Sequence, residues 1–506
     1  MKRSSGVLMH ISSLPNKYGI GSFGQSAYDF VDFLYESKQK FWQILPLTTT
    51  SYGDSPYQSF SAYAGNPYFI DLDCLQEEGL LKAEEIEGID FGENNQSIDY
   101  GLIFKNRQTI LDKAVEAFKR KNFSEEYHQF LLENNHWLEP FAEYMAIKET
   151  FGLKAWYEWD EPARKREAGA MNKYREDLAD RLDYYRITQF FFKQQWQKLK
   201  IYANQKGIEI IGDIPIYVAR DSVEMWSQPE LFKVDNQGNP TMVAGTPPDN
   251  FSEDGQFWGN PIYDWEYHRK QNYEWWIERF KESFKLYDWV RIDHFRGFES
   301  FWQVPITAKT SAEGSWTKGP GYELFANVKK TLGQLNIIAE DLGFMTQEVI
   351  DMREKTGFPG MKILQFGFDD LGDSPDLPHH YSENSIAYVG THDNETAIGW
   401  AIDTASPESL RKLEDYLGKL ESESIADCLN RGIAMSTSCL AVYRMQDLLN
   451  LDNHSRMNTP STLGGNWQWR MTENQLTDGL KNILLKLTQT YYRENHFDSL
   501  SKEQFI

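Results

Sequence analysis

Four carboxylates stand at or just beyond the ends of short apolar runs: Asp213 in IEIIGD, Asp293 in WVRID, Glu340 in NIIAE and Asp393 after IAYVGTH. A lone acid in such a place is ordinarily a salt bridge or a helix cap, because an ionised carboxylate is costly to desolvate. Four at corresponding positions point instead to shared chemistry. Retaining cleavage of a glycosidic bond needs one ionised carboxylate to attack the anomeric carbon and a second, kept protonated, to donate to the leaving oxygen. Asp293 suits the first role: Arg291, two residues earlier, lies on the same strand face and would favour its ionised form. Glu340 suits the second, since burial after the apolar run NIIA would raise its pKa. His392 and Asp393 would bind sugar hydroxyls and tighten as the ring flattens towards an oxocarbenium-like state.

For these residues to meet, the runs carrying them must end on one rim. Eight apolar runs are spaced for parallel strands with helical crossovers: Gly6 to Ile11, Phe41 to Leu47, Ile208 to Val218, Trp289 to His294, Asn336 to Leu342, Met361 to Phe368, Ile386 to His392 and Cys439 to Met445. Ser26 to Ser37 has helical periodicity after the first run. The expectation is a closed (β/α)8 barrel filling residues 1–506, with polar residues at its C-terminal face converging; an open doubly wound sheet is the alternative. A mainly helical insertion is expected over about 74–204, an active-site loop insertion over about 219–288 and a mouth-covering loop over about 457–469. The stretch AGTPPDNFSEDGQFWGNPIYDW is dense enough in Gly, Pro, Asp and Asn to forbid regular structure. No C-terminal β-sandwich domain is expected.

Composition narrows the partners. A net charge of -23 over 506 residues repels phosphate backbones and anionic lipid surfaces, so neither nucleic acid nor membrane is expected. The chain is 15% aromatic, with 16 Trp, 27 Tyr and 31 Phe, more than a core of this kind needs, and rings beside polar site residues are candidates to face a ligand. Cys74, Cys428 and Cys439 are badly spaced for a metal knuckle and, being odd in number, cannot all pair within the chain, which together with the lack of a signal-like apolar run reads as cytoplasmic. Sequons at Asn122, Asn250 and Asn394 agree with that, since a glycan on Asn394 would crowd Asp393. His10, His294 and His392 with nearby Asp residues offer Zn- or Mn-type ligands, yet no HExxH or short-spaced pair accompanies them, and sugar binding explains the same residues. No metal or other cofactor is expected. His379-His380 reads as a solvated loop pair, and Glu77 to Asp90 as a solvated acidic face rather than a calcium loop.

The ordered set GDIPIYV, VRIDHFRG, IAEDLG and GTHDN resembles the motif set of the 4-α-glucanotransferases, the amylomaltase or disproportionating-enzyme family, glycoside hydrolase family 77 of the α-amylase superfamily. HISSLPNKYGIGSFG, WQILPL, DSPYQSFSAYAGNP, GTPPDNFSEDGQFWGNPIYDW and KILQFGF extend the likeness nearly end to end. The resemblance implies double displacement, with Asp293 as nucleophile, Glu340 as acid then base and Asp393 as transition-state stabiliser. It implies substrate contacts from Ser55, Tyr57, Asp213, Gln256, Trp258, Arg291, Phe366 and His392, and from Asn466 in the GGNW segment. Its partners would be maltooligosaccharides, maltodextrin or starch-derived glucans, with glucose as an acceptor. Transfer rather than α-amylase-like hydrolysis follows from the family and not from the carboxylates, which serve both; an aromatic loop over Phe251 to Trp258 could hold an acceptor and exclude water. One departure is MNTPSTLGGNW, where the family pattern has glycine after the proline and this chain has Ser461.

Overall fold

The structure, a computed structural model, describes residues 1–51, 53–121, 123–248, 254–369 and 371–495; Asn122, Asn250 and Phe251 lie outside these. Eight parallel strands form one sheet: β1 (Ser4–Leu8), β2 (Phe41–Gln43), β3 (Glu209–Pro215), β4 (Trp289–Asp293), β5 (Ile337–Ala339), β6 (Gly360–Ile363), β7 (Ser385–Tyr388) and β8 (Leu440–Arg444). Their spatial order, β6-β7-β8-β1-β2-β3-β4-β5, is cyclic in sequence. The seam between β5 and β6 is drawn together by the Ala339 amide on the Pro359 carbonyl at 3.0 Å and by the Met361 amide on the Asp341 carboxylate at 2.7 Å. This is a (β/α)8 barrel rather than an open sheet.

Every strand is shorter than the apolar run that announced it. Runs continue past the last ladder bond because the barrel is covered on both faces, so residues leaving a strand stay buried and apolar. The chemistry therefore sits at different depths: Asp293 is the last residue of β4, Glu340 follows β5 directly, and Asp393 lies in the loop after β7. Close packing fixes the register beside the site. A Cβ at Gly212 would stand 2.2 Å from the Tyr287 ring, so only glycine lets β3 approach that buried ring and set Asp213 opposite Arg291.

Between β2 and β3 the chain is helical, chiefly Tyr100–Lys119, Glu125–Thr150 and Ala179–Gln205. The first two begin at side-chain caps, Asp99 on the Leu102 amide and Ser124 on the Tyr127 amide. Two buried glutamines on Ala179–Gln205 grip the extended segment that follows β2. Gln189 exchanges hydrogen bonds with the amide and carbonyl of Gly65, and Gln195 does the same with Asp71. These bonds satisfy backbone groups that would otherwise be buried without partners.

The stretch from Ala244 to Trp265, expected to be irregular, contains strands. Met242–Thr246 and Gln256–Pro261 pair antiparallel, and with Ser300–Pro305 and Ser315–Lys318 they make a four-stranded sheet beside the barrel mouth. The turn-forming residues are absorbed by a register shift between Val243 and Gly245 and by positive φ at Gly255 and Gly259. Their density had marked the breaks of a hairpin rather than the absence of one.

In the loop after β8, Ser461 adopts φ +64°, followed by positive φ at Gly464, Gly465 and Trp467. The departure from glycine thus falls on a left-handed residue, where a side chain costs about 1–2 kcal/mol. Ser461→Gly should be more stable than Ser461→Val by about 1–2 kcal/mol, wild type lying between, in chemical denaturation. Equal midpoints for the two variants would contradict the left-handed turn.

Candidate active site

The centre of the barrel mouth is one arginine between two aspartates. Arg291 Nη1 donates to Asp213 Oδ2 at 2.7 Å and to Asp293 Oδ1 at 3.1 Å. The Arg291 and Asp213 side chains are only 3% and 0% exposed, whereas Asp293 is 30% exposed and opens to the mouth. Tyr57 also donates to Asp213 Oδ2, at 2.9 Å, while Asp213 Oδ1 is buried with no partner among the described residues. Burial pushes Asp213 up to about 7, opposed by Arg291 and assisted by the nearby Asp293. Asp293 is likewise raised by burial, the guanidinium working against this and Asp393 adding to it. Arg291 acts in the direction expected from the sequence, but desolvation outweighs it.

Glu340 is tied to the same strand through backbone. Its amide donates to the Ile292 carbonyl and its carbonyl accepts from Phe295, both at 3.1 Å. His294 has φ +54°, a left-handed turn directly after Asp293 that aims its amide at Glu340 Oε2, 2.6 Å away. Burial raises Glu340 to about 8; Arg291 and the His294 amide oppose the shift, and the charge of Asp293 reinforces it. Burial thus favours the protonated form of this carboxyl, while the neighbour touching Arg291 has the cation that stabilises its charge.

Asp393 is held from two loops. Oδ1 accepts from Asn458 Nδ2 at 2.6 Å, and Oδ2 lies 3.3 Å from His392 Nε2. Its carbonyl accepts from Arg456 at 2.6 Å, and Arg444, closing β8, donates to the carbonyls of Thr391 and Asn394. His392 is driven down to about 4 by burial and is neutral at physiological pH. Its ring stacks on Tyr57, with centroids 5.1 Å apart and planes at 15°, and Trp467 closes on both rings at 5.8 Å.

The other predicted contacts surround this centre unevenly. Trp258 stands edge-on to His294 at 4.9 Å, and its indole N–H donates to Gln256 Oε1 at 3.1 Å, so this pair reaches the Glu340 side. Ser55 accepts from the Tyr57 amide at 3.2 Å and shapes the turn that presents Tyr57. Phe366 is half-buried at the start of a short helix after β6. Asn466 is spent within its own loop, accepting from the Thr459 amide and donating to Thr462. A cavity of about 460 Å³ between helices reaches Tyr57 and Asp213 from behind, while Asp293, Glu340 and Asp393 lie outside it on the open mouth.

Sequence reasoning missed Asn458, Arg444, Arg456 and the backbone of His294. The arginines and Asn458 lie in or beside the eighth run and its loop, where a buried cation next to a strand end was the available signal. Among the described residues, three-member groups able to hold a metal occur at Asp373, His379, His380 and at His136, Glu278, Glu282. Neither includes His10, His294 or His392.

Comparisons with known proteins identify the family of the chain. The family described as 4-alpha-glucanotransferase, glycoside hydrolase family 77, matches residues 9–477. A 4-alpha-glucanotransferase of Streptococcus pneumoniae is 59% identical over 498 residues, covering 98% of each chain, and that of Thermus thermophilus is 43% identical over 94% of this chain and 96% of its own. Amylomaltase from Streptococcus agalactiae, solved in complex with acarbose, superposes with a TM-score of 0.96 at 50% identity, covering 98% of this chain and 100% of that one. Amylomaltase from Corynebacterium glutamicum, at 17% identity and a TM-score of 0.78 over 97% of this chain and 75% of its own, shares the fold. A barrel whose mouth gathers Asp293, Glu340 and Asp393, matched nearly end to end by these relatives, belongs to the 4-alpha-glucanotransferases of glycoside hydrolase family 77.

Proposed function

We propose that this 4-alpha-glucanotransferase moves α-1,4-glucan segments between maltooligosaccharides by retaining double displacement. An Asp293 oxygen attacks the anomeric carbon of the donor while Glu340 gives its proton to the departing glycosidic oxygen. The donor's non-reducing segment remains on Asp293 as a covalent ester. Glu340, now ionised, takes the proton from an acceptor hydroxyl, whose oxygen displaces Asp293 with a second inversion. Asp393 and neutral His392 accept and donate hydrogen bonds at the sugar as positive charge develops. The observation that carries this reading is the split environment of two acids on adjacent strands: Asp293 touches the Arg291 cation, while Glu340 is held protonated by burial.

Tyr57, His392 and Trp467 supply a packed aromatic wall for the sugar under attack, and Asp213 and Arg291 fix its floor. Donors would be maltodextrin or starch-derived glucans, acceptors shorter oligosaccharides or glucose, with no cofactor. No helix among the described residues is long and apolar enough to cross a membrane. The three cysteines are unpaired, which supports a reducing, cytoplasmic setting.

Incubation with maltotriose should yield longer oligosaccharides together with shorter ones, and Asp293→Asn should lower the rate by on the order of 10³–10⁵-fold. Products no longer than the substrate would mean hydrolysis, and a fully active Asn variant would remove the nucleophile. Because Glu340 must enter protonated and its pKa is about 8, kcat/KM should fall above that pH as the proton is lost. Glu340→Gln should abolish that limb along with most of the activity; a wild-type profile flat to pH 10 would sink the assignment. Trp258, shielding the Glu340 side, should favour sugar over water as acceptor. Trp258→Ala should therefore raise the ratio of hydrolytic glucose to transfer product several-fold, and an unchanged ratio would refute the shielding role.

A further inference from the structure

The four-stranded sheet beside the mouth has two unlike faces. Gln256 and Trp258 point one way, with Trp258 meeting His294; Phe257, between them, points the other. On that outer side Phe257 pairs with Gly245, Gly245 with Trp302, and Trp302 with Trp316. Directly opposed residues of antiparallel strands share a face, so these form one rung crossing the sheet over three strand spacings, about 14 Å. The row extends beyond the sheet: Trp302 and Trp316 have centroids 5.3 Å apart, and Phe344 stacks on Trp316 at 6.4 Å and 23°.

These rings are displayed rather than packed away. Phe257 is 45% exposed, Trp316 40% and Phe344 69%. A cluster of exposed aromatic rings marks a binding surface more often than a solvated one. It is also rigid. The guanidinium of buried Arg296 lies 3.9 Å from the Trp316 ring centroid, donates to Ser300 Oγ at 3.0 Å and holds the Phe344 carbonyl. One cation thus backs Trp316 and anchors Phe344, leaving their other surfaces to solvent.

The row adjoins the reacting centre through the chain itself. Arg296 is two residues past His294, whose amide binds Glu340, and Phe344 is four residues past Glu340. As the acid, Glu340 would face the leaving segment and the acceptor, and the loop that carries Phe344 against Trp316 begins at Glu340. Pyranose rings present flat C–H faces that stack on aromatic rings, with hydroxyls free at the edges. A net charge of -23 further favours an uncharged polymer over an anionic one.

We propose that Trp316 and Phe344, continued by Trp302 and Phe257, form a surface platform that holds glucose units of a long α-1,4-glucan outside the catalytic subsites. This rests on the glucanotransferase reading above and adds a second, length-dependent point of attachment. Short substrates would not reach it. Long ones would be bound at two places on one chain, raising their effective concentration at the mouth.

The test compares Phe344→Ala, a mostly exposed ring whose loss leaves the fold intact, with the double variant that adds Trp316→Ala. Disproportionation of maltotriose should be unchanged in Phe344→Ala, while KM for amylose rises several-fold, and more in the double variant. In the Asp293→Asn background, where turnover is suppressed, migration through an amylose-containing native gel should be retarded, and the two aromatic substitutions should reduce that retardation to what the catalytic subsites alone give. Unchanged amylose KM and retardation would overturn the platform while leaving the catalytic reading intact. A fall in maltotriose and amylose activity alike would make the rings structural only. Self-association lost in the double variant, with amylose binding retained, would make the face a contact between copies of the chain. Full transfer activity in Asp293→Asn would instead defeat the catalytic reading, which the gel result does not depend on.

Discussion

Arg291 is the group around which this barrel mouth is built. A guanidinium at 3% exposure must be compensated, and its two hydrogen-bonded partners are Asp213 on β3 and Asp293 at the tip of β4. Removing Arg291 instead would leave two adjacent carboxylates, one of them fully buried, without their cation, at a cost of several kcal/mol. The requirement dictates register, because Asp213 can face Arg291 only if β3 pairs with β4 as it does. That pairing depends in turn on Gly212 passing Tyr287. It also creates an electrostatic asymmetry, since Asp213 and Asp293 touch the cation directly while Glu340 does not, and burial raises Glu340 to about 8.

Around that pair, the remaining parts are held by bonds that reach between loops rather than along strands. Glu340 is positioned by the backbone of β4 through the left-handed turn at His294. Asp393 is oriented by Asn458 and Arg456 from the loop after β8, and the same loop brings Trp467 against Tyr57 and His392. Asp393 and the Tyr57–His392–Trp467 cluster are therefore set by one loop, so their geometry cannot vary independently.

The eight strands and the three catalytic candidates were legible in the sequence because both depend on local composition: apolar runs mark buried strands, and polar residues at their ends mark the rim. Asp293, with Arg291 two residues before it, is the clearest instance, since strand alternation alone puts the two on one side. What escaped depends on distance in the chain. Asn458 reaches back 65 positions to Asp393, and nothing in NTPST distinguishes a positioning amide from a turn former. The hairpin from Met242 to Pro261 was hidden because glycine and proline signal breaks and strand ends alike, and only pairing with Ser300–Pro305 decides between them. The pKa of Asp293 followed the same limit: the adjacent cation was visible, the depth of burial was not.

The grip of Gln189 and Gln195 on Gly65 and Asp71 bears on modularity. The segment it secures carries Ser55 and Tyr57, so the helices between β2 and β3 act as the far jaw of a clamp whose near jaw is the barrel. They are not an accessory that could be trimmed to obtain a minimal catalyst. A circular permutant or domain graft that respected the barrel but cut within Ala179–Gln205 would release the segment whose Tyr57 donates to Asp213, and the smallest unit that keeps the barrel mouth in shape includes both.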